Sequence, residues 1–307
     1  MTWDMRFSRR SAILLALAAS ASTILAAAPV VVSSKLDLEG ALLGQMMLLA
    51  LARAGVPAIN QLQIGPTAIL RQALLSGSVD LCVEYTGNAA FFFHQESDPV
   101  WRYAKEGFAR AAALDYAANQ LVWLDPAPAD NSWVIAVPNA MARRSALAAL
   151  DDFAAFVRAG NRIKLAASAE FVESAAGLPA FEAAYGFKLE ASQLLILSGG
   201  ETTATLKAAA DGISGVNAAM AYGSDGALDA LGLLALEDPR RAEPVYAPAP
   251  VVRAATLKAY PQIKPALAPV FAGLDLKTLR GLNEKVAVEG EGAEAVARDY
   301  MMARSLL

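Results

Sequence analysis

Glu84, Tyr85, Thr86, Gly87 and Asn88 stand in a row at the end of the apolar run Val79 to Val83. A strand there delivers an acid, an aromatic ring, a hydroxyl and an amide to one place, which is the chemistry of a pocket rim. Just upstream, Gly65-Pro66-Thr67 opens the helical stretch Thr67 to Leu75, and the exposed N–H groups of a helix start attract anions. Glu84, Asp225 and Glu201 are acids that a secreted hydrolase could converge for proton transfer. Other reaction classes lack their parts. One histidine, His94, and one cysteine, Cys82, build neither a histidine metal site nor a Cys/His pair. A Gly-x-Ser-x-Gly elbow and a Gly-x-x-x-x-Gly-Lys phosphate loop are both missing, so Leu197 to Glu201 and Gly290-Glu291-Gly292 are chance likenesses to nucleotide motifs. No enzymatic activity, cofactor or metal is expected, a secreted hydrolase remaining open only through those acids.

The elements that must position these residues alternate. Short β-branched runs (Val30 to Ser33, Gln61 to Ile64, Val79 to Val83, Leu121 to Leu124, Trp133 to Val137, Ile163 to Ala166, Leu194 to Leu197, Val216 to Tyr222) are separated by Ala/Leu-rich helical stretches. That rhythm predicts an α/β fold with largely parallel strands. Leu38 to Ala54 and Thr67 to Leu75 are followed by Gly55 and Gly77, glycines suited to left-handed helix ends. The chain is read as crossing between two domains at Asn131 to Val137 and again at Ala219 to Ser224, leaving a cleft between the crossings. Asp125 to Asn131 and Glu243 to Pro250 read as proline-punctuated turns.

Residues 1–28 have the order of a secretory signal: Arg6, Arg9 and Arg10, then the apolar run Ala12 to Ala19, then Ala26-Ala27-Ala28. Ser11-Ala12-Ile13 after the paired arginines favours the general secretory route over the twin-arginine one, and Pro29 disfavours cleavage directly before it. The lone Cys82 offers neither a disulfide nor a lipid anchor, so a free periplasmic protein is expected. Without the signal's three arginines and one aspartate, 23 of 26 basic and 29 of 30 acidic side chains remain. That acidic balance, with no basic cluster, argues against nucleic acid as a partner.

Ser34-Lys35, Gly65 to Arg71, Glu84 to Asn88, Asn131-Ser132-Trp133 and Tyr222 to Gly226 together resemble the substrate-binding proteins of osmoprotectant ABC importers, across essentially the whole mature chain. Trp123 to Ala127, Lys164 to Phe171 and Ser198 to Ala204 make it most similar to the OsmF-like periplasmic glycine-betaine-binding branch. The resemblance implies a type II, Venus-flytrap fold. Residues 29–132 and 223–307 would form a discontinuous domain one and residues 133–222 domain two, joined by two connecting strands. It also implies a monomer that captures a quaternary-ammonium osmolyte, glycine betaine first, and delivers it to a membrane permease driven by a separate ATPase. A periplasmic sensor reporting to a receptor is the alternative of another class.

A trimethylammonium head donates no hydrogen bond, so dispersion and the negative faces of aromatic rings must hold it, each contact contributing roughly 0.5–2 kcal/mol. The resemblance puts Tyr85, Trp133 and Tyr222 in such a box, although a tyrosine ending a strand and a tryptophan opening one also serve as core residues. It assigns Lys35, Thr67, Asn88 and Thr203 as donors toward the ligand's carboxylate. Phe91, Phe92 and Phe93 are read as core, because three consecutive helical aromatics cannot all face one cleft. Ser174 stands where many relatives carry an arginine. A hydroxyl is a weaker carboxylate clamp than a guanidinium fork, which predicts weaker betaine binding or a preference for a ligand without the carboxylate, such as choline.

Overall fold

The computed structural model describes Met1, residues 28–197 and residues 202–307. The signal expected in residues 1–28 lies, but for Met1 and Ala28, outside the described residues, as do Ser198 to Glu201. No helix among the described residues is long and apolar enough to cross a membrane.

Two five-stranded sheets organise the chain. With β1 Val30–Lys35, β2 Ala58–Gly65, β3 Leu81–Tyr85, β4 Leu121–Trp123 and β10 Pro248–Arg253, the first sheet has the order β2-β1-β3-β10-β4. With β5 Trp133–Pro138, β6 Leu165–Ser168, β7 Leu194–Leu197, β8 Ala218–Tyr222 and β9 Leu233–Ala235, the second has the order β7-β6-β8-β5-β9. The two orders correspond. In each sheet the strand that arrives from the other one, β10 or β5, runs antiparallel to both neighbours. The remaining pairings are parallel.

Helices cover both faces of each sheet, which is why β3 is buried at every position and reads as a continuous apolar run. On one side of the first sheet, Leu42, Met46, Leu81, Leu267 and Met301 form a core; Leu70, Trp101, Ala111 and Val251 form another on the far side. The second sheet has its own pair of cores, around Phe153, Phe171 and Phe181 and around Leu206, Ala219 and Leu228. Asp37 starts the helix Leu38–Arg53 by accepting the Gly40 N–H at 2.6 Å. Gly77 ends the helix Thr67–Ser76 at φ 80°, as its glycine predicts.

The return to the first sheet comes later than Ala219–Ser224. β9 pairs with β5 through Ala136↔Ala235 and Val137↔Leu234, and Leu236 and Ala242 belong to the second sheet's core. The second lobe therefore extends some way past Tyr222, and the chain crosses back through the stretch beginning at Glu243. Much of the segment read as a turn at Glu243 to Pro250 is instead the entry to β10, a central strand. Its prolines survive there because the missing N–H groups face the side where β4 has given way to a loop. On that side the carbonyls of Pro248 and Pro250 accept from the N–H groups of Ala127 and Leu124, both at 2.8 Å.

The two crossings are tied to each other. Asp130 Oδ1 accepts the Ser132 hydroxyl at 2.6 Å, the Ser132 N–H at 3.0 Å and the Tyr246 N–H at 2.9 Å. Ser132 in turn shares its hydroxyl with the Pro244 carbonyl at 2.7 Å.

Candidate functional site

The ends of β1, β3 and β8, the start of the antiparallel β5 and the starts of the helices Leu38–Arg53, Thr67–Ser76 and Thr202–Asp211 open onto one cleft of about 730 Å³ between the lobes. Lys35, Thr67, Tyr85, Asn88, Trp133, Thr203 and Tyr222 all line it, and so does Ser174. Strands ending at a common edge and helices starting there explain the convergence, since ligands of open α/β sheets collect at the strands' carboxyl ends.

On the second lobe, register pairs Trp133 directly with Tyr222. Their rings lie near-parallel, 22° apart with centroids at 6.5 Å. Phe171 braces Trp133 edge-on at 5.5 Å, so the indole has one fixed orientation. Burial raises the Tyr222 phenol's pKa, and the hydroxyl stays protonated at neutral pH. A third ring, Tyr246, comes from the second crossing and also lines the cleft. It packs flat on Gly87, where a Cβ would stand 2.8–2.9 Å from its ring atoms; only glycine leaves that space.

Tyr85 lines the cleft with a cation of the chain already on its ring. It is 7 % exposed, its hydroxyl donates to Glu39 Oε1 at 2.6 Å, and the Lys35 ammonium covers its ring at 4.4 Å. Lys35 is itself paired with Glu84 Oε1 at 2.8 Å, and Asn88 donates to the same oxygen at 2.6 Å. Lys35 and Asn88 thus each direct one N–H to Glu84, while the ammonium has two further N–H donors and the amide one. Thr67 adds backbone donors: its helix starts after Pro66 without a side-chain cap, leaving its first N–H groups for a ligand. Thr202 and Thr203 bring the corresponding end of the helix Thr202–Asp211 to the opposite wall. Phe91 and Phe92 line the cleft, while Phe93 packs on the far-side core of the first sheet, so two of the three phenylalanines leave the core role read for them. Of the acids read as a hydrolase set, Glu84 serves Lys35, Asn88 and the Tyr85 N–H at 2.8 Å, Asp225 accepts the Tyr222 N–H at 2.8 Å, and Glu201 lies outside the described residues.

Beneath the cleft runs a polar network that residue patterns alone did not single out. Glu39, buried in the first turn of its helix, accepts Tyr85 Oη, Asn131 Nδ2 at 3.0 Å and Asn283 Nδ2 at 2.6 Å. Asn283 also donates to the Ser224 carbonyl at 2.9 Å. Burial raises the Glu39 pKa, and the hydrogen bonds from Ser224, Tyr85 and Asn283 oppose that rise. First lobe, first crossing and the loop after β8 are thereby joined at one carboxyl group. The only signal for Glu39 in the sequence was an acid in a helix's first turn, which ordinarily marks a favourable dipole contact.

Residues 28–303 match the family model for the substrate binding domain of the ABC-type glycine betaine transport system. The chain belongs to this family. It is 53 % identical over 288 residues to the glycine betaine-binding protein YehZ of Escherichia coli (strain K12), covering 94 % of each chain. It is 26 % identical over 247 residues to a glycine-betaine-binding protein of Pseudomonas aeruginosa, covering 78 % of this chain and 77 % of that one. The solved structure of apo YehZ from Escherichia coli superposes with a TM-score of 0.81 at 52 % identity, over 92 % of this chain and all of the other. A glycine betaine/carnitine/choline ABC transporter structure gives 0.79 at 17 % identity, over 90 % of this chain and 99 % of that one, a likeness of fold. The chain is a substrate-binding protein of ABC transport with the two-lobed α/β fold of that class.

Proposed function

We propose that this protein is exported to the periplasm, where it captures glycine betaine or a similar quaternary-ammonium osmolyte and hands it to an ABC permease and its ATPase. The ammonium head rests against Trp133, Tyr222 and Tyr246. The carboxylate turns to the uncapped start of the helix Thr67–Ser76 and to the threonines at the start of the helix Thr202–Asp211. The observation that carries this reading is the joint presence, in one cleft, of near-parallel rings on one lobe and an uncapped helix start on the other. Rings can hold a cation that donates nothing, and helix N–H groups can hold an anion.

The cleft is larger than a small betaine fills, so the ligand completes its contacts only when the lobes approach. Ligand then shifts an open–closed equilibrium toward the closed form by as much as it binds that form better. The paired crossings around Asp130 and Ser132 are the natural hinge, and the closed lobes are the shape the permease reads. Use of several donors and rings in place of one strong clamp fits the absence of an arginine at Ser174.

The test is calorimetric titration of the ligand-free mature protein with glycine betaine and with choline, repeated on Tyr222→Ala and Tyr222→Phe. Loss of one ring contact of roughly 0.5–2 kcal/mol weakens binding by about 2- to 30-fold in the alanine variant, while phenylalanine, which keeps the ring, stays near wild type. Equal losses in both variants would replace the ring-face argument with a hydroxyl contact. No heat with any quaternary amine would reject the reading.

A further inference from the structure

Hydrogen bonds run in series through the junction of the lobes and end on a side chain outside the cleft. The Ser132 hydroxyl of the first crossing donates to the Pro244 carbonyl of the second at 2.7 Å. The Ser132 carbonyl accepts the Gly223 N–H at 2.8 Å, and the Gly223 carbonyl accepts Arg280 Nε at 2.6 Å. Gly223 follows β8 of the second lobe, whose core takes in Ala227 and Leu228 just after it. Arg280 belongs to the helix Leu276–Ala287, which packs on the first lobe through Leu279, Leu282 and Val286. The series therefore starts where the chain crosses and finishes by tying the second lobe back to the first. Asn283, three residues on from Arg280, takes the next carbonyl, that of Ser224, at 2.9 Å. Two donors on one helix face thus grip two consecutive backbone carbonyls. Gly223 comes so close to the first crossing that a Cβ would stand 2.5 Å from the Asp130 carbonyl oxygen.

We propose that Arg280 is a positioning residue for ligand capture: through the Gly223 carbonyl it anchors the far end of the hinge on the first lobe, so that closure is a rotation about one axis. The inference rests on the reading that the cleft closes around a quaternary-ammonium ligand. The two crossings are tied to each other at Asp130, and a joint made there alone leaves the lobes free to twist as well as to close. A second fixed point along the same line removes the twist. It also holds the residue after Tyr222, so the paired rings of Tyr222 and Trp133 keep their angle to the helix starts of the first lobe. Arg280 lies outside the cleft lining and acts through the backbone. A guanidinium suits the task, since a charged donor makes a stronger bond to a carbonyl than a neutral one and its planar fork loses little freedom in forming it. Without the anchor, only a fraction of the ligand-free molecules hold the lobes aligned for closure, and affinity falls by that fraction whichever amine is bound.

The test is titration of wild type, Arg280→Met and Arg280→Lys with glycine betaine, choline and tetramethylammonium. Arg280→Met should weaken all three by a common factor of about five, and Arg280→Lys, which keeps a cationic donor, should recover part of the loss. Weakening confined to glycine betaine would make Arg280 a carboxylate contact and overturn the inference, as would unchanged affinities. The lobe geometry is read separately, from the distance between spin labels at Tyr116→Cys on the first lobe and Ile213→Cys on the second. Both positions are half exposed, and the native Cys82 is buried away from the label. In the ligand-free protein the distance distribution should be broader in Arg280→Met than in wild type. Equal widths with only a lower melting temperature would reduce the contact to a part of the fold's stability and overturn the proposal. If wild type binds none of the three amines, the reading of the cleft fails by itself, and the distance distributions still decide whether Arg280 fixes the lobes.

Discussion

Arg71→Leu is expected to loosen the cleft without touching a ligand. Arg71 lies on the helix Thr67–Ser76 and forks onto Asp115, Nη1 to Oδ2 and Nη2 to Oδ1, each at 2.7 Å. Asp115 is fully buried and also accepts Asn119 Nδ2 and Trp123 Nε1, each at 2.8 Å. The other face of the guanidinium covers the Phe92 ring at 4.4 Å, and Phe92 is part of the cleft wall. One side chain therefore fixes both the helix start offered to the carboxylate and a wall of the site. Leucine removes two of the four bonds to Asp115 seen among the described residues and the cation paired with it, a change that ordinarily costs about 3–5 kcal/mol when a buried pair is broken from one side. Two neutral donors remain, which places the expected loss toward the lower end. At roughly 2–4 °C per kcal/mol for a chain of this size, the melting temperature should fall by roughly 6–20 °C. Urea unfolding gives the free energy, and betaine titration of the folded variant gives the functional effect, a weakened affinity. The companion Arg71→Leu/Asp115→Leu leaves no stranded charge and should lose less than the single variant. A single variant within about 1 kcal/mol of wild type, or a double variant that loses more, would refute the assignment of Arg71 and Asp115 as a mutually dependent buried pair.

Burial holds the Glu243 carboxyl protonated well above its ordinary 4.5, with Asp238 and Asp130 adding to the rise and Arg102 opposing it; the folded chain thus keeps a proton that the unfolded chain releases, and stability falls as pH rises above about 4.5. Glu243→Gln should flatten that fall, matching wild type near about pH 4 and melting higher at about pH 8, whereas parallel melting curves across that range count against it. Ser174→Arg places a guanidinium on the cleft wall that now carries Glu170 and Ser174, and it should tighten glycine betaine relative to choline in parallel titrations; an unchanged ratio removes residue 174 from the carboxylate side. Gly226→Ala puts a Cβ 2.1 Å from the Glu284 backbone N and 2.5 Å from the Asn283 carbonyl carbon, so the helix carrying Asn283 must move, at about 1–3 kcal/mol in chemical unfolding together with weaker ligand binding. Wild-type stability in this variant would show that the contact relaxes without cost.

What the sequence made legible follows from the kind of signal each part carries. β1 and β5 were readable as β-branched runs, the other strands before β9 as short largely apolar runs between helical stretches, and the glycines after two helices were readable because left-handed caps demand them. β9 is only three residues long, too short for any period. β10 was hidden by its prolines, which normally exclude a central strand; they are tolerated because of where β4 stops, and that depends on the partner strand. The same misreading displaced the second crossing and concealed Tyr246. Its clue lay at Gly87, which a local reading assigns to a turn and which is needed because a ring from a distant segment packs on it. For the site, residue types located the cleft lining while leaving roles open. A lysine, a glutamate and a tyrosine near two strand ends can form a carboxylate donor beside an open ring, or a closed pair laid over a covered ring. The choice is made by side-chain geometry over distances of 2.8 and 4.4 Å, and no spacing along the chain encodes it. Roles that need only a helix start or a strand register, such as those of Thr67 and of Trp133 opposite Tyr222, depend on backbone position. Roles that depend on which of two partners a flexible polar side chain prefers, as for Lys35 and Asn88, depend on the assembled wall.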